Sequence, residues 1–119
     1  MYECSINSDK RIISCDSGSK EVDVSKIIYI ESSGHKVTYH IHGKEFGDYV
    51  VKSKLDDIEN ELKEYKYLLR VHQSYIVNMM YVNNISSYRV YLKNGIDMGV
   101  PKSRYKEVKK RILEFKENN

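Results

Sequence analysis

Leu68-Leu69-Arg70-Val71-His72-Gln73-Ser74-Tyr75-Ile76-Val77-Asn78 changes its pattern halfway along. Leu69 and Val71 alternate with Leu68, Arg70 and His72, the period-2 signature of a strand with one buried face. The alternation stops at Gln73-Ser74. Ser74 suits a turn or a helix cap, Tyr75-Ile76-Val77 is too short for a full helix, and Asn78 takes a left-handed turn at low cost. The stretch predicts a strand ending in a polar, donor-rich corner, with an apolar turn anchoring the corner from behind. With Leu69 and Val71 turned inward, Arg70 and His72 face the other side, towards solvent or a binding partner. His72 reads best as a packed, hydrogen-bonded residue that holds the corner.

Outward from this stretch the chain is mostly short strands. Residues 11–15, 20–24, 27–31 and 37–42 predict strands, with clean alternation over 20–24 and 37–42, and turns at Ser17-Gly18-Ser19, at Ser25-Lys26 and at Ser32 to Lys36. Gly43-Lys44 predicts a hairpin onto a strand over 45–50. Residues 81–86, 88–92 and 96–100 predict three more strands, the last two joined by Asn94-Gly95, whose residues accept positive φ cheaply. Two helices interrupt them. Ser53 is an N-cap with Asp56 in the reach-back position, and Leu55, Ile58, Leu62 and Tyr65 form one apolar stripe to Tyr65. A second helix runs from Ser103 to about Phe115, with Tyr105, Val108, Ile112 and Phe115 repeating the stripe. The fold class is mainly β: small antiparallel sheets stacked as an elongated β sandwich, with one central and one C-terminal amphipathic helix.

The chain has 119 residues, enough for one domain over 1–119 with a core at about 11–115. No apolar run approaches eighteen residues, and the N-terminus lacks the basic start and apolar core of a signal peptide, so a cytoplasmic protein without a membrane span is expected. Cys4 and Cys15 show no CxxC spacing, and reduced thiols are the default. The net charge of +3 hides an asymmetry. Residues 1–65 hold 9 Lys and Arg against 13 Asp and Glu, and residues 66–119 hold 11 against 4, so the second half is the face for a polyanion.

Enzymatic signals are weak. His40 and His42 share a strand face but have no third ligand at fixed spacing. Asp56, Asp57 and Glu59 sit at a helix start with no apolar pocket to split their pKa values. There is no phosphate-binding glycine loop and no nucleophile elbow. No cofactor and no metal is expected. Three polar corners remain: His35-Lys36, Gln73-Ser74 and Lys102-Ser103-Arg104. Their side chains are of the types that read duplex DNA, since Arg and Lys donate to guanine, Gln pairs with adenine, and Ser and Lys suit phosphates.

The opening stretch resembles the central signature of the LytTR family of bacterial DNA-binding domains. Leu68, Arg70, His72, Ser74, Tyr75, Ile76, Val77 and Asn78 fall on its positions. Further matches at residues 27–31, at Ser53 and Leu55, and at Leu92-Lys93-Asn94-Gly95 keep their order from about Val22 to Phe115. The resemblance implies sequence-specific binding of double-stranded DNA by a transcription regulator, through strand-end loops inserted in major grooves. His35 falls on a base-contacting position, and Gln73 replaces the Asn or Arg of relatives. At the last corner one alignment offers Lys102 and a one-residue shift offers Ser103-Arg104. The DNA-contacting set is therefore His35, Lys36, Arg70, Gln73, Ser74, Lys102, Ser103 and Arg104, with the acidic helix from Ser53 facing away from the duplex. The family also implies direct-repeat sites, a weak or DNA-induced homodimer and an upstream receiver domain. A protein-interaction module of the same fold that does not read DNA is the alternative; RNA binding and a metallo-hydrolase stand further back.

Overall fold

The computed structural model describes residues 9–15, 18–43 and 49–118. Its strands are β1 (Lys10–Cys15), β2 (Gly18–Asp23), β3 (Ile27–Ser33), β4 (Lys36–Ile41), β5 (Tyr49–Lys52), β6 (Leu68–His72), β7 (Tyr75–Asn78), β8 (Val82–Ser86), β9 (Arg89–Leu92) and β10 (Asp97–Gly99). Helix α1 (Leu55–Glu61) lies between β5 and β6, and α2 (Lys102–Glu117) follows β10. Pairing is antiparallel throughout. A five-stranded sheet in the order β5-β4-β3-β7-β6 is flanked by the β1-β2 pair and by a β10-β9-β8 sheet.

The five-stranded sheet divides two apolar cores. One holds Leu69, Val71 and Val77 against Val90, Leu92 and Met98 of the three-stranded sheet and Val108 and Ile112 of α2. The other holds Ile27, Ile30 and Ile76 against Val22 and Val24 on one side and Leu55, Ile58 and Leu62 on the other. Both faces of β3 are therefore covered, which is why Ile27 to Ile30 are buried in succession rather than alternately. The register of β3 against β4 shifts between Ile27 and Tyr29, so Ile28 and Tyr29 both enter the first core while Ile27 and Ile30 serve the second.

Two short 3-10 turns, Val24–Lys26 and Met79–Tyr81, carry the chain out of β2 and β7. Asp23 caps the first through Ser25 N–H at 3.1 Å, and Asn78 caps the second through Met80 N–H at 2.9 Å. Asn78 also reaches back to the first turn, donating to the carbonyls of Ser25 at 3.0 Å and Ile27 at 2.8 Å. It is the only fully buried polar residue among the described ones.

Several sequence expectations change. Tyr75 to Asn78 is a strand in the sheet, not an anchoring turn, because Ile76 and Val77 each have a core to enter. Asn78 is extended (φ −91°), not left-handed. The first helix spans Leu55–Glu61 rather than Ser53 to Tyr65, and Leu62 and Tyr65 reach the core from the turn after it. Lys54 stands at its N-cap without a side-chain cap, because lysine has no acceptor to offer, while Ser53, one residue earlier, donates its N–H to the carbonyl of His35 at 3.1 Å. The second helix is longer, taking in Lys102, with Pro101 as N-cap. The β8–β9 connection is a two-residue turn in which Ser87 (φ 52°) and Tyr88 (φ 63°) are both left-handed without glycine. The turn expected at Ser17, the strand over 45–48 and Cys4 lie outside the described residues.

Candidate nucleic-acid interface

Two corners meet at one end of the five-stranded sheet. β3 turns into β4 at Gly34-His35, where Gly34 has φ 61° and open space around it, so its backbone conformation and not crowding calls for glycine. β6 turns into β7 at Gln73-Ser74, and Ser32 N–H donates to the carbonyl of Ser74 at 2.9 Å, tying one corner to the other. Ser32, Gly34, Lys54, Asp56, Gln73 and Ser74 line a shared cleft of about 340 Å³. His35, Lys36 and Gln73 have exposed side chains.

The Gln73 corner is held from within. Arg70 donates from Nε to the carbonyl of His72 at 2.8 Å and from Nη2 to the carbonyl of Gln73 at 2.6 Å. Its Nη1 meets the carboxylates of Asp56 at 3.0 Å and Glu59 at 2.8 Å. His72 Nδ1 accepts from Ser74 N–H at 3.0 Å, and its ring lies 5.5 Å from that of Tyr75. The β6–β7 register shifts between Arg70 and His72, a bulge that re-aims the strand end at the corner. Arg70 is thereby corrected from an exposed contact to a strut. Its side chain is only 8% exposed, since the guanidinium satisfies two carbonyls and two carboxylates of the protein itself. The acidic helix is corrected too: its first turn borders the Gln73 corner instead of facing away, and Arg70 offsets its charge there.

The third corner is the first turn of α2. Lys102, Ser103 and Arg104 are exposed, and no acidic residue offsets the helix dipole there. Lys102 and Arg104 diverge. Lys102 Nζ lies 6.0 Å from the centre of the Tyr88 ring, which packs on Tyr105 at 4.4 Å. Arg104 instead lines a cleft of about 320 Å³ over β6 whose wall includes Arg70, so the third corner adjoins the strut of the second.

Lys52 and Lys54 join the set although the sequence did not single them out. Lys36 and Lys52 are directly paired across β4 and β5, and Lys54 follows at the start of α1. Like charges opposite one another destabilise a sheet, and an anion at the His35 corner removes that repulsion. The pairing register brings Lys52 to the corner and the cleft lining brings Lys54; their spacing from His35 gives no signal. His40 and His42 do not act together: His40 Nε2 pairs with Glu31 at 2.6 Å and stacks on Tyr29 at 4.2 Å, while the His42 ring lies 5.9 Å from that of Tyr81. No group of three His, Cys, Asp or Glu is placed to hold a metal among the described residues. No helix of the described residues is long and apolar enough to cross a membrane.

The family model described as the LytTr DNA-binding domain matches residues 17–113. The chain is 33% identical over 95 residues to the sensory transduction protein LytT of Bacillus subtilis, covering 75% of this chain and 37% of that protein. A solved LytTr DNA-binding domain from Bacillus cereus superposes with a TM-score of 0.68 at 21% identity, covering 89% of this chain and 97% of the other, a likeness of fold.

Proposed function

This chain belongs to the LytTr DNA-binding domain family, a family of binding domains and not of enzymes, and from that premise we propose that it reads the sequence of double-stranded DNA through its strand-end corners. His35 and Gln73 offer donors and acceptors to base edges in the major groove. Lys36, Lys52, Lys54, Ser74 and Ser103 contact phosphates and fix the register. Lys102 and Arg104 extend the contact from the first turn of α2, one of them to a base. Arg70 acts through Gln73 as a positioning residue.

The observation that carries this reading is the hold on Gln73. Its backbone carbonyl is fixed by Arg70 at 2.6 Å while its side chain stays exposed. A recognition side chain needs this combination, because a mobile loop loses ordering entropy on every binding event. The chain spans about a third of the curated relative it matches, so an upstream receiver domain and pairing of two copies on direct repeats belong to the proposal for the whole regulator.

Selection on random duplex DNA, followed by titration of the selected duplex at several salt concentrations, tests the reading. The expected result is an enriched sequence and a log-log salt slope of about −0.9 for each phosphate contacted. No enrichment, with no duplex bound at low salt, retires it.

A further inference from the structure

A second basic concavity lies beside the reading corners. The cleft over β6 is walled on one side by Lys63 and Lys66, from the connection between α1 and β6, and on the other by Arg104 and Arg111 of α2. Arg104 and Arg111 are seven residues apart, two turns of helix, and so share a face. Leu62, Leu69 and Ile76 are buried and close the floor. Glu59 is the one carboxylate of the lining, and it is engaged by Arg70 at 2.8 Å. The four remaining cations make no ion pair among the described residues, although Arg111 is half-buried. Like charges gathered around a low-dielectric concavity repel one another and focus a positive potential into it.

We propose that this cleft is a phosphate-binding site, with Lys63, Lys66, Arg104 and Arg111 as its ligands. Arginine forks take two oxygens of one phosphate, and the lysines take a neighbouring one as point charges. The phosphates come either from the backbone of duplex flanking the bases read, a source that rests on the DNA reading above, or from a free phosphorylated small molecule.

Inorganic pyrophosphate is the probe. The full chain is titrated while the backbone amides of residues 63–70 and 104–111 are followed by NMR. The parallel sample carries Lys66→Gln with Arg111→Gln, and Lys63→Gln alone is the variant on the exposed wall should Arg111 prove necessary for folding. Saturable shifts on both walls are expected, with affinity falling by about tenfold for each charge removed. The same variants are then read on the selected duplex. A salt slope shallower by about 0.9 for each cation removed assigns the phosphates to the DNA backbone. A parental slope in variants whose pyrophosphate affinity has fallen assigns them to a small molecule. Absence of shifts on both walls together with a parental slope overturns the site. If the parent binds no duplex at all, the DNA reading falls and the pyrophosphate titration alone decides the cleft.

Discussion

The side-chain amide of Asn78 donates to the carbonyl of Ile27 at 2.8 Å, joining the end of β7 to the start of β3 across 51 residues of sequence. The same side chain, itself fully buried, bonds the carbonyl of Ser25 and the N–H of Met80, so one residue ties two 3-10 turns together. Asn78→Ala leaves the Ile27 carbonyl short of a partner in a buried bond, and the Ser25 carbonyl and Met80 N–H short of theirs in part-buried ones. A loss of about 3 kcal/mol in unfolding free energy is expected, measured by urea titration. Asn78→Asp keeps the acceptor for Met80 but cannot donate to either carbonyl, and an equal or larger loss is expected. A loss below about 1 kcal/mol for both variants contradicts the tie.

Arg70→Lys preserves a positive charge near Asp56 and Glu59 but removes the fork that also reaches His72 and Gln73. The corner loosens. Discrimination at the base pair read by Gln73 should fall by about 1–3 kcal/mol while discrimination elsewhere is kept, as read by competition with single-substitution duplexes. If every duplex weakens by the same factor, Arg70 serves the fold as a whole and not Gln73.

Lys102 and Arg104 point to different surroundings and should separate by type of contact. Arg104 lines the basic cleft, so Arg104→Ala should weaken all duplexes alike and make the salt slope shallower by about 0.9. Lys102 stands at the start of α2 beside Tyr88, so Lys102→Ala should relax preference at one position by about 1–3 kcal/mol. The reverse pair of results exchanges their roles.

Alkaline stability should depend on Tyr39. Burial, and secondarily the charge of Glu61, push its hydroxyl well above the ordinary tyrosine value of 10.0, with Arg11 opposing. Above about pH 10 the unfolded chain loses this proton while the folded chain keeps it, so stability falls as pH rises towards the folded value. The slope from this group is at most about 1.4 kcal/mol per pH unit. Tyr67 is raised in the same direction, by burial and then by its hydrogen bond to Asp9. Urea midpoints between pH 9 and pH 11.5 should fall for the parent and fall less steeply for Tyr39→Phe. Equal slopes exclude Tyr39 as a source.

What the sequence discloses here follows from how far each feature depends on neighbours in the chain. The strand at Leu68–His72 and the turn at Gln73-Ser74 are written in local alternation, and both form where expected. The apolar stripe of α2 is equally local, and Val108 and Ile112 are buried as it predicts. Tyr75 to Asn78 is ambiguous by itself, since three apolar residues fit a turn or a buried strand; pairing with β3 decides, and β3 is more than forty residues away. The direction of the Arg70 side chain is equally hidden. Alternation correctly sets it opposite Leu69 and Val71, but the carboxylates that cover it arrive with α1. Lys52 comes beside the His35 corner only through its pairing with Lys36.

The strut beneath the Gln73 corner grips a backbone carbonyl, a group that every residue carries, and takes hold of no side-chain atom of Gln73. Scaffold and exposed side chain are thus separable at this position. Substituting Gln73 by Asn, Arg or Ser changes the donors and acceptors that the corner presents while the bonds from Arg70 to the backbone are kept. Under the proposed DNA reading, a lineage built on this frame would change its operator one letter at a time, with each intermediate still folded and still gripping the backbone of its old site.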